Sequence, residues 1–255
     1  MLTIVEDAVA VLKGKTAVVT GGSRGIGRAI VERLTRDGAE VVFNYAQNGS
    51  AAAEVVRAVE EAGGSVRGVQ MDLTEPGAAK RLMEIAEQDL GGLDILVNNA
   101  AMTFTPTPIA ETEEDLFDRV MAVNVKSAFL TIRHAARRMR DGGRIVNIST
   151  VNTVRPAPGI APYIISKGAL EQLTAAAARE LGTRGITVNT VSPGATDTDL
   201  LRGTNSAEQL QMVVAMTPLG RLGQPADVAD VVAFLTSSDG RWVTAQNIRA
   251  TGGVA

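Results

Sequence analysis

Tyr163 and Lys167 combine residue types and a spacing that suit proton transfer. They lie four positions apart in a helical pattern, so both side chains are expected on one face of the helix. A free phenol has a pKa of about 10, and a nearby ammonium favours the phenolate and lowers that value. The pair therefore predicts a general acid–base site in which the phenol gives up or takes the proton.

A glycine-rich turn forms a second candidate site, because the run TGGSRGIG at 20–27 leads from a predicted strand directly into a helix. In such a turn Gly21 permits the sharp bend, Gly25 lets the backbone approach a diphosphate, and Gly27 allows close packing of helix on strand. The free amides and the dipole of the helix N-terminus attract phosphate. The context predicts a dinucleotide site.

The elements that must position these residues are strands and helices in alternation. We predict strands at Thr16–Thr20, Glu40–Asn44, Ser65–Met71, Leu93–Asn98, Gly143–Ser149, Ile186–Ser192 and near Asn247–Ala250. We predict helices at Gly27–Asp37, Ser50–Ala62, Pro76–Leu90, Glu113–Arg140, Pro162–Leu181 and Pro225–Ser237, many of them ending at glycine, as at Gly38, Gly63, Gly91, Gly142 and Gly182. The strands are almost continuously apolar, as in a parallel sheet covered on both faces.

This pattern predicts an α/β fold: a single Rossmann-type, doubly wound parallel sheet of about seven strands with helices on both faces. We expect one domain over residues 15–255 and a loosely packed N-terminal extension over residues 1–14. Two longer connections, Val151–Ala161 and Thr196–Leu222, follow the fifth and sixth strands. Ligands bind beyond the carboxyl ends of such strands, so both are candidate substrate walls.

Composition excludes several other classes of protein. The 255 residues carry a net charge of −3 and only eight aromatic side chains (one Trp, two Tyr, five Phe), which argues against nucleic acid as a partner. The sequence has no cysteine and one histidine, His134, so we expect helix packing or solvent around His134 and no metal site. Glu6 and Asp7 stand where a signal peptide carries basic residues, and no apolar run reaches membrane-spanning length. We therefore expect a cytoplasmic protein with no membrane partner.

Five motifs occur in the order found in one enzyme family. They are the glycine turn, Asn98-Asn99-Ala100, Asn124, Tyr163-x-x-x-Lys167 and Pro193-Gly194. From about Lys15 to the C-terminus the chain resembles the short-chain dehydrogenase/reductase family, and it is most similar to the branch of 3-oxoacyl-carrier-protein reductases and glucose dehydrogenases.

The resemblance implies a catalytic set of Asn124, Thr150, Tyr163 and Lys167. The family places a hydroxyl, usually serine, 13 residues before the tyrosine to hold the substrate carbonyl, and that position is Thr150. Ser149 is the alternative, but neighbours on a strand point to opposite faces, so one of the two enters the site. In the family the lysine also binds the nicotinamide ribose, and the asparagine binds a water that links the lysine to solvent.

The resemblance also implies a nicotinamide cofactor, and we expect NADP(H) rather than NAD(H). Tyr45 occupies the position of the carboxylate that would bind a ribose 2′-hydroxyl, while Arg24 is placed to meet a 2′-phosphate. Asp72 is expected at the adenine amine, Asn98 near the adenosine ribose and Thr198 at the carboxamide. The expected cofactor-binding residues are Gly21, Ser23, Arg24, Gly25, Ile26, Gly27, Asn44, Tyr45, Asp72, Leu73, Asn98, Ala100, Tyr163, Lys167, Pro193, Gly194, Thr196 and Thr198.

The implied activity is NADPH-dependent reduction of a ketone, with Tyr163 as proton donor, or the reverse oxidation of an alcohol. The substrate is a 3-oxoacyl thioester or, alternatively, a sugar, steroid or secondary-metabolite ketone. A different class of function, an NADP-binding sensor or scaffold with weak redox activity, is suggested by threonine at position 150. The resemblance further implies a homotetramer that pairs the helices at Glu113–Arg140 and Pro162–Leu181.

Some residues outside the motifs have two interpretations. For Leu200, Leu201, Met212 and Met216 we favour ordinary core packing over a lid on the substrate. For Arg155 we favour a solvated loop residue over a contact with an anionic substrate. Ala101 and Ala245 replace glycines that are frequent in the family, which is harmless only where the backbone φ is negative.

Overall fold

The computed structural model describes residues 10–255, which form a seven-stranded parallel sheet in the order β3-β2-β1-β4-β5-β6-β7. The strands are β1 Thr16–Val19, β2 Glu40–Tyr45, β3 Ser65–Gln70, β4 Ile95–Asn98, β5 Arg144–Ile148, β6 Thr187–Pro193 and β7 Asn247–Ala250. In the centre, Val18 pairs with Val42 on one side and with Leu96 on the other. The predicted doubly wound fold is confirmed, and its strand order reverses direction at β1 and β4, where such sheets bind ligands.

Helices cover both faces of the sheet. They are α1 Gly25–Arg36, α2 Gly49–Glu61, α3 Ala78–Leu90, α4 Glu114–Met121, α5 Ser127–Arg138, α6 Ala161–Leu181, α7 Asp199–Thr204, α8 Ala207–Met216 and α9 Pro225–Thr236. One apolar core joins α1, α2 and α9 to the sheet through residues such as Ile30, Val55 and Val232. The other joins α3, α5 and α6 through residues such as Leu82 and Ile132. Within residues 10–255 no helix is both long and apolar enough to cross a bilayer.

Three local features differ from the sequence prediction. The helix predicted over Glu113–Arg140 is divided into α4 and α5 by a π-helical segment, Ala122–Lys126, a feature that often accompanies functional sites. Gly182 has a helical φ of −60°, and the left-handed residue that ends this region is Gly185, with φ 66°. The segment Thr196–Leu222 contains two helices, α7 and α8.

The N-terminal extension lies mostly outside the described residues. In its described part, Leu12 is buried in the core that α1 contributes to, and its amide donates to the carbonyl of Asp37 over 2.8 Å. A side chain at Gly38 would contact Ala10. Packing at this end of the chain therefore begins before Lys15.

Candidate active site

Thr150, Tyr163 and Lys167 meet where β5 ends. Lys167 is almost completely buried, and its Nζ donates to the carbonyl oxygen of Ile148 over 2.7 Å and lies 5.6 Å from the centre of the Tyr163 ring. The Thr150 side chain lies close enough to the Tyr163 phenol to lower its pKa. The spacing of four residues on α6 thus brings the phenol and the amine to one point beside a hydroxyl.

Burial shifts the pKa values of both Tyr163 and Lys167. It raises the pKa of the Tyr163 phenol, and the nearby Thr150 side chain offsets that rise only in part. Burial also lowers the pKa of Lys167 to about 8. Burial is the largest effect on this phenol in the protein alone, so its pKa is raised; a lowering contribution of the Lys167 ammonium stays a prediction. The phenol stays protonated at neutral pH, as a proton donor must.

The two candidate hydroxyls at the end of β5 have different partners. Ser149 donates to Oε1 of Glu171 over 2.6 Å, on the side of the sheet that α6 covers. Thr150 has extended backbone (φ −160°, ψ 150°), and its Oγ1 accepts from the amide of Asn152 over 3.2 Å. Its hydroxyl hydrogen remains available to a partner in the cleft, which favours Thr150 over Ser149 as the carbonyl-binding residue.

Asn124 is buried in the π-helical segment and connects two parts of the site. Its Oδ1 accepts from the amide of Met102 over 2.7 Å, and its Nδ2 donates to Oγ of Ser166 over 3.0 Å. Oγ of Ser166 in turn donates to the carbonyl of Tyr163 over 2.7 Å. The amide of Asn124 thereby holds the loop after β4 against α6. A water link to Lys167 stays a prediction.

The glycine turn fits a diphosphate. Gly21 and Gly25 have positive φ values of 69° and 53°, which side chains rarely adopt. A Cβ at Gly27 would lie 2.1 Å from the carbonyl oxygen of Gly21, so the turn is too tight for any side chain there. The amides of the first turn of α1 have no partner within the helix, so they are suited to bind a phosphate.

Two asparagines support the turn. The amide of Gly21 donates to Oδ1 of Asn44, and Nδ2 of Asn99 donates to the carbonyls of Thr20 and Gly21, each over 2.9–3.0 Å. Nδ2 of Asn44 donates to Met71 O. The side chains of Asn44 and Asn99 are thus committed to the protein, and Asn44 acts on the expected cofactor site through Gly21.

Asn98 is also engaged within the protein. It donates to Oδ1 of Asn147 over 2.9 Å and accepts from the hydroxyl of Thr131 over 2.7 Å, all three being buried. Its side chain therefore joins β4 to β5 and α5. The contact of Asn98 with the adenosine ribose stays a prediction.

The residues expected at the adenosine end lie on adjacent strand ends. Tyr45 is the last residue of β2, and its carbonyl accepts from the amide of Met71 over 2.8 Å. Asp72 follows, with Oδ1 accepting from the amide and hydroxyl of Thr74, while Leu73 is buried in the core beside α3. Arg24 precedes α1 and is exposed, and within residues 10–255 its side chain makes no hydrogen bond or ion pair.

The connection after β6 returns to the glycine turn. The amide of Gly194 donates to the carbonyl of Ala250, and Thr196 bridges to Gly223. Thr198 caps α7, and a Cβ built on Gly25 would lie 3.2 Å from its methyl group. Pro193–Thr198 therefore faces the glycine turn across the cleft. Ile26, Ser23 and Ala100 line the turn itself, Ala100 donating its amide to Oγ1 of Thr20.

Helices α7 and α8 are not packed as expected. Leu200, Met212 and Met216 are about half exposed, and neither helix buries any residue, so core packing was the wrong interpretation for these three side chains. A cavity of about 400 Å³ lies along α8, between Arg202, Leu210, Val214 and Leu222.

Two further polar residues have partners within the protein. Arg155 donates to the carbonyl of Val254 over 2.9 Å, and His134 lies 3.1 Å from Glu87 between α5 and α3.

Comparison with known proteins decides the family. The profile of a family described as enoyl-(acyl carrier protein) reductase matches residues 21–255. An uncharacterised oxidoreductase of Methylorubrum extorquens is 45% identical over 245 residues, covering 95% of this chain and 98% of its own. A short-chain dehydrogenase/reductase from Serratia marcescens superposes with a TM-score of 0.90 at 41% identity, covering 95% of this chain and 98% of its own. The chain belongs to the short-chain dehydrogenase/reductase family.

As a member of this family it is an oxidoreductase acting on CH–OH or C=O groups. It is also similar to an angucycline C-6 ketoreductase, LanV, whose structure contains NADP. The TM-score is 0.89 at 43% identity, covering 95% of this chain and 96% of the other.

Sequence reasoning missed two residues of this short-chain dehydrogenase/reductase site. Asn99 belongs to the Asn98-Asn99-Ala100 motif, but the motif gave no indication that its side chain binds the carbonyl of Gly21. Glu171 accepts from Ser149 and from Thr153, both next to the catalytic strand end. Its position four residues after Lys167 places it on the same face of α6, which was the available signal.

Proposed function

We propose that the chain is an NADPH-dependent carbonyl reductase, reversible as an alcohol dehydrogenase. The proposal is carried by one observation: a phenol, a buried amine and a hydroxyl that is free to donate meet at the end of β5. In this account Thr150 donates its hydroxyl hydrogen to the substrate carbonyl oxygen and fixes its position. Tyr163 transfers its proton to that oxygen, and Lys167 holds the strand end through Ile148.

The nicotinamide, when bound, supplies the hydride that reduces the carbonyl carbon. Gly21, Gly25 and Gly27 let the backbone approach the diphosphate, and the first-turn amides of α1 bind it. Below pH 8 Lys167 is charged, and its ammonium also favours the phenolate that remains on Tyr163 after proton transfer.

An assay of NADPH oxidation over acyl thioesters, ketoses, steroids and aryl ketones tests the activity. We expect turnover of at least one ketone by the wild type and its loss in Tyr163→Phe. A protein that binds NADPH and reduces nothing in the panel would instead be the weak-redox sensor.

NADPH preference is part of the proposal, and its support is an exposed Arg24 beside a strand end, Asn44–Ala46, that carries no carboxylate. Arg24→Ala should lower kcat/KM for NADPH by about tenfold and leave NADH almost unchanged, because a guanidinium–phosphate pair is lost. Arg36→Ala, at the other end of α1 and also exposed, is the matched control. A wild type with higher kcat/KM for NADH would contradict the preference.

A bulky aromatic ketone is the second candidate substrate, next to a 3-oxoacyl thioester. The exposed apolar side chains Leu200, Met212 and Met216 favour it, as does the similarity to an angucycline ketoreductase. The same panel distinguishes the two, since the aromatic account predicts higher kcat/KM for polycyclic aryl ketones than for acyl thioesters.

We also propose a homotetramer, for which the half-exposed Phe129 on α5 and Ile165 on α6 give support. Light scattering should show a mass several times that of the chain. A species of 26.6 kDa at micromolar concentration would contradict it.

A further inference from the structure

One face of α6 holds the end of β5 at successive residues. Tyr163, Lys167 and Glu171 are spaced by four along the helix, so they share a face. Lys167 binds the carbonyl of Ile148, and Glu171 binds the hydroxyl of Ser149. Tyr163 and Lys167 already have parts in the proposed reaction, whereas Glu171 has none.

Glu171 binds on both sides of Thr150. Its Oε1 accepts from Ser149 Oγ over 2.6 Å and from Thr153 Oγ1 over 2.8 Å. Ser149 is the residue before Thr150, and Thr153 ends the short 3₁₀ turn that follows it. Bonds from hydroxyls to an ionised carboxylate are among the stronger hydrogen bonds in proteins. One carboxylate oxygen of Glu171 thus binds the chain both before and after Thr150.

The hydroxyls of Ser149 and Thr153 are the hydrogen-bond partners that stabilise the Glu171 carboxylate in its partly buried position. Glu171 is half-buried, and within residues 10–255 it takes part in no salt bridge. A carboxylate that is partly removed from water without a cation needs hydrogen bonds to offset its desolvation. Both of its hydrogen bonds here go to the strand end that carries Thr150.

We propose that Glu171 is a positioning residue that orients the Thr150 hydroxyl toward Tyr163, an inference that rests on the proposed reductase function. Neighbouring side chains of extended chain point in opposite directions. With Ser149 tied to α6, Thr150 is directed into the cleft, and the bond to Thr153 fixes the turn beyond it. Errors of about 1 Å in such placement slow catalysis strongly.

The test compares Glu171→Ala with Glu171→Gln, which keeps an acceptor oxygen but removes the charge. We expect Glu171→Ala to lower kcat about tenfold while KM for NADPH changes less than about twofold, and Glu171→Gln to restore most of kcat. Glu180→Ala is the matched control and should behave as wild type, because Glu180 is an exposed residue of the same helix whose side chain makes no hydrogen bond within residues 10–255.

A spectroscopic readout separates this inference from the activity itself. The chain has two tyrosines, Tyr45 and Tyr163, so ring-labelled ¹³C tyrosine gives two Cζ signals, and Tyr163→Phe assigns them. We expect Glu171→Ala to shift the Tyr163 signal, because the position of the Thr150 hydroxyl beside the phenol changes, and Glu171→Gln to leave it near its wild-type position. If Glu171→Ala does not fold, Ser149→Ala/Thr153→Val removes the same two bonds from the strand side and should give the same shift.

Several results would overturn the inference: wild-type kcat together with an unmoved Tyr163 signal in Glu171→Ala, or a Glu171→Gln variant as slow as Glu171→Ala. If the wild type reduces no carbonyl, the reductase proposal fails. The positioning role is then decided by the Tyr163 signal alone, which supports it by moving in Glu171→Ala and contradicts it by staying in place.

Discussion

At the residue scale, Thr150 departs from the serine that the family usually places there. Its γ-methyl restricts χ1, and its Oγ1 accepts from the amide of Asn152. The side chain is therefore held while its hydrogen stays free to donate. Threonine in this setting supplies the same donor as serine, with less rotational freedom.

Thr150→Ala should lower kcat by about 10²-fold or more, because a donor aimed at the reacting oxygen is removed. NADPH affinity should stay near wild type, since the proposed contact of Thr150 is with the substrate carbonyl. Thr150→Ser keeps the donor and should stay within about tenfold of wild type. Steady-state kinetics and NADPH titration measure both, and unchanged turnover in Thr150→Ala would contradict its assignment.

At the element scale, the strands and the glycine turn were predictable because their signals are local. β4, with the sequence ILVN, is buried throughout, and the glycines at fixed spacing in residues 20–27 indicate the turn. The π-helical segment was not predictable, because Asn124 is stabilised there by Met102 and Ser166, which are distant in sequence. Glu171 was missed for the same reason.

Two alanines that replace family glycines offer a matched pair. Ala245 has a φ of 59°, the one positive value among the non-glycine residues described, while Ala101 does not share it. Ala245→Gly should raise the melting temperature by about 1–2 °C, because relief of the left-handed strain exceeds the entropic cost of glycine. Ala101→Gly should lower it slightly. A lower melting temperature in Ala245→Gly would contradict the assigned backbone.

At the scale of the whole molecule, the buried Lys167 links stability to pH. Burial lowers its pKa to about 8, against about 10.4 in an unfolded chain. Between these values the unfolded state binds more protons, so this destabilising contribution is full below pH 8 and is relieved as pH rises. The buried Lys167 amine, which has a part in the proposed reaction, therefore lowers the stability of the fold at neutral pH.

Denaturant unfolding of wild type and Lys167→Met at a series of pH values measures this contribution. From pH 8 to pH 9.5 the free energy of unfolding of the wild type should rise by about 1.5 kcal/mol relative to the variant. The phenol of Tyr163 does not interfere, because its raised pKa lies above this window. Parallel curves for the two proteins would show that Lys167 is not desolvated as described.

In the proposed reaction the nicotinamide's hydride reaches the carbonyl carbon while Tyr163 protonates the oxygen. The most direct measurement supplies NADPH deuterated at the hydride-donating carbon with the best ketone of the panel and locates the label by mass spectrometry. We expect deuterium on the carbinol carbon of the alcohol, and no labelled alcohol from Tyr163→Phe. An alcohol without the label, or labelled alcohol formed equally well by Tyr163→Phe, would contradict the account.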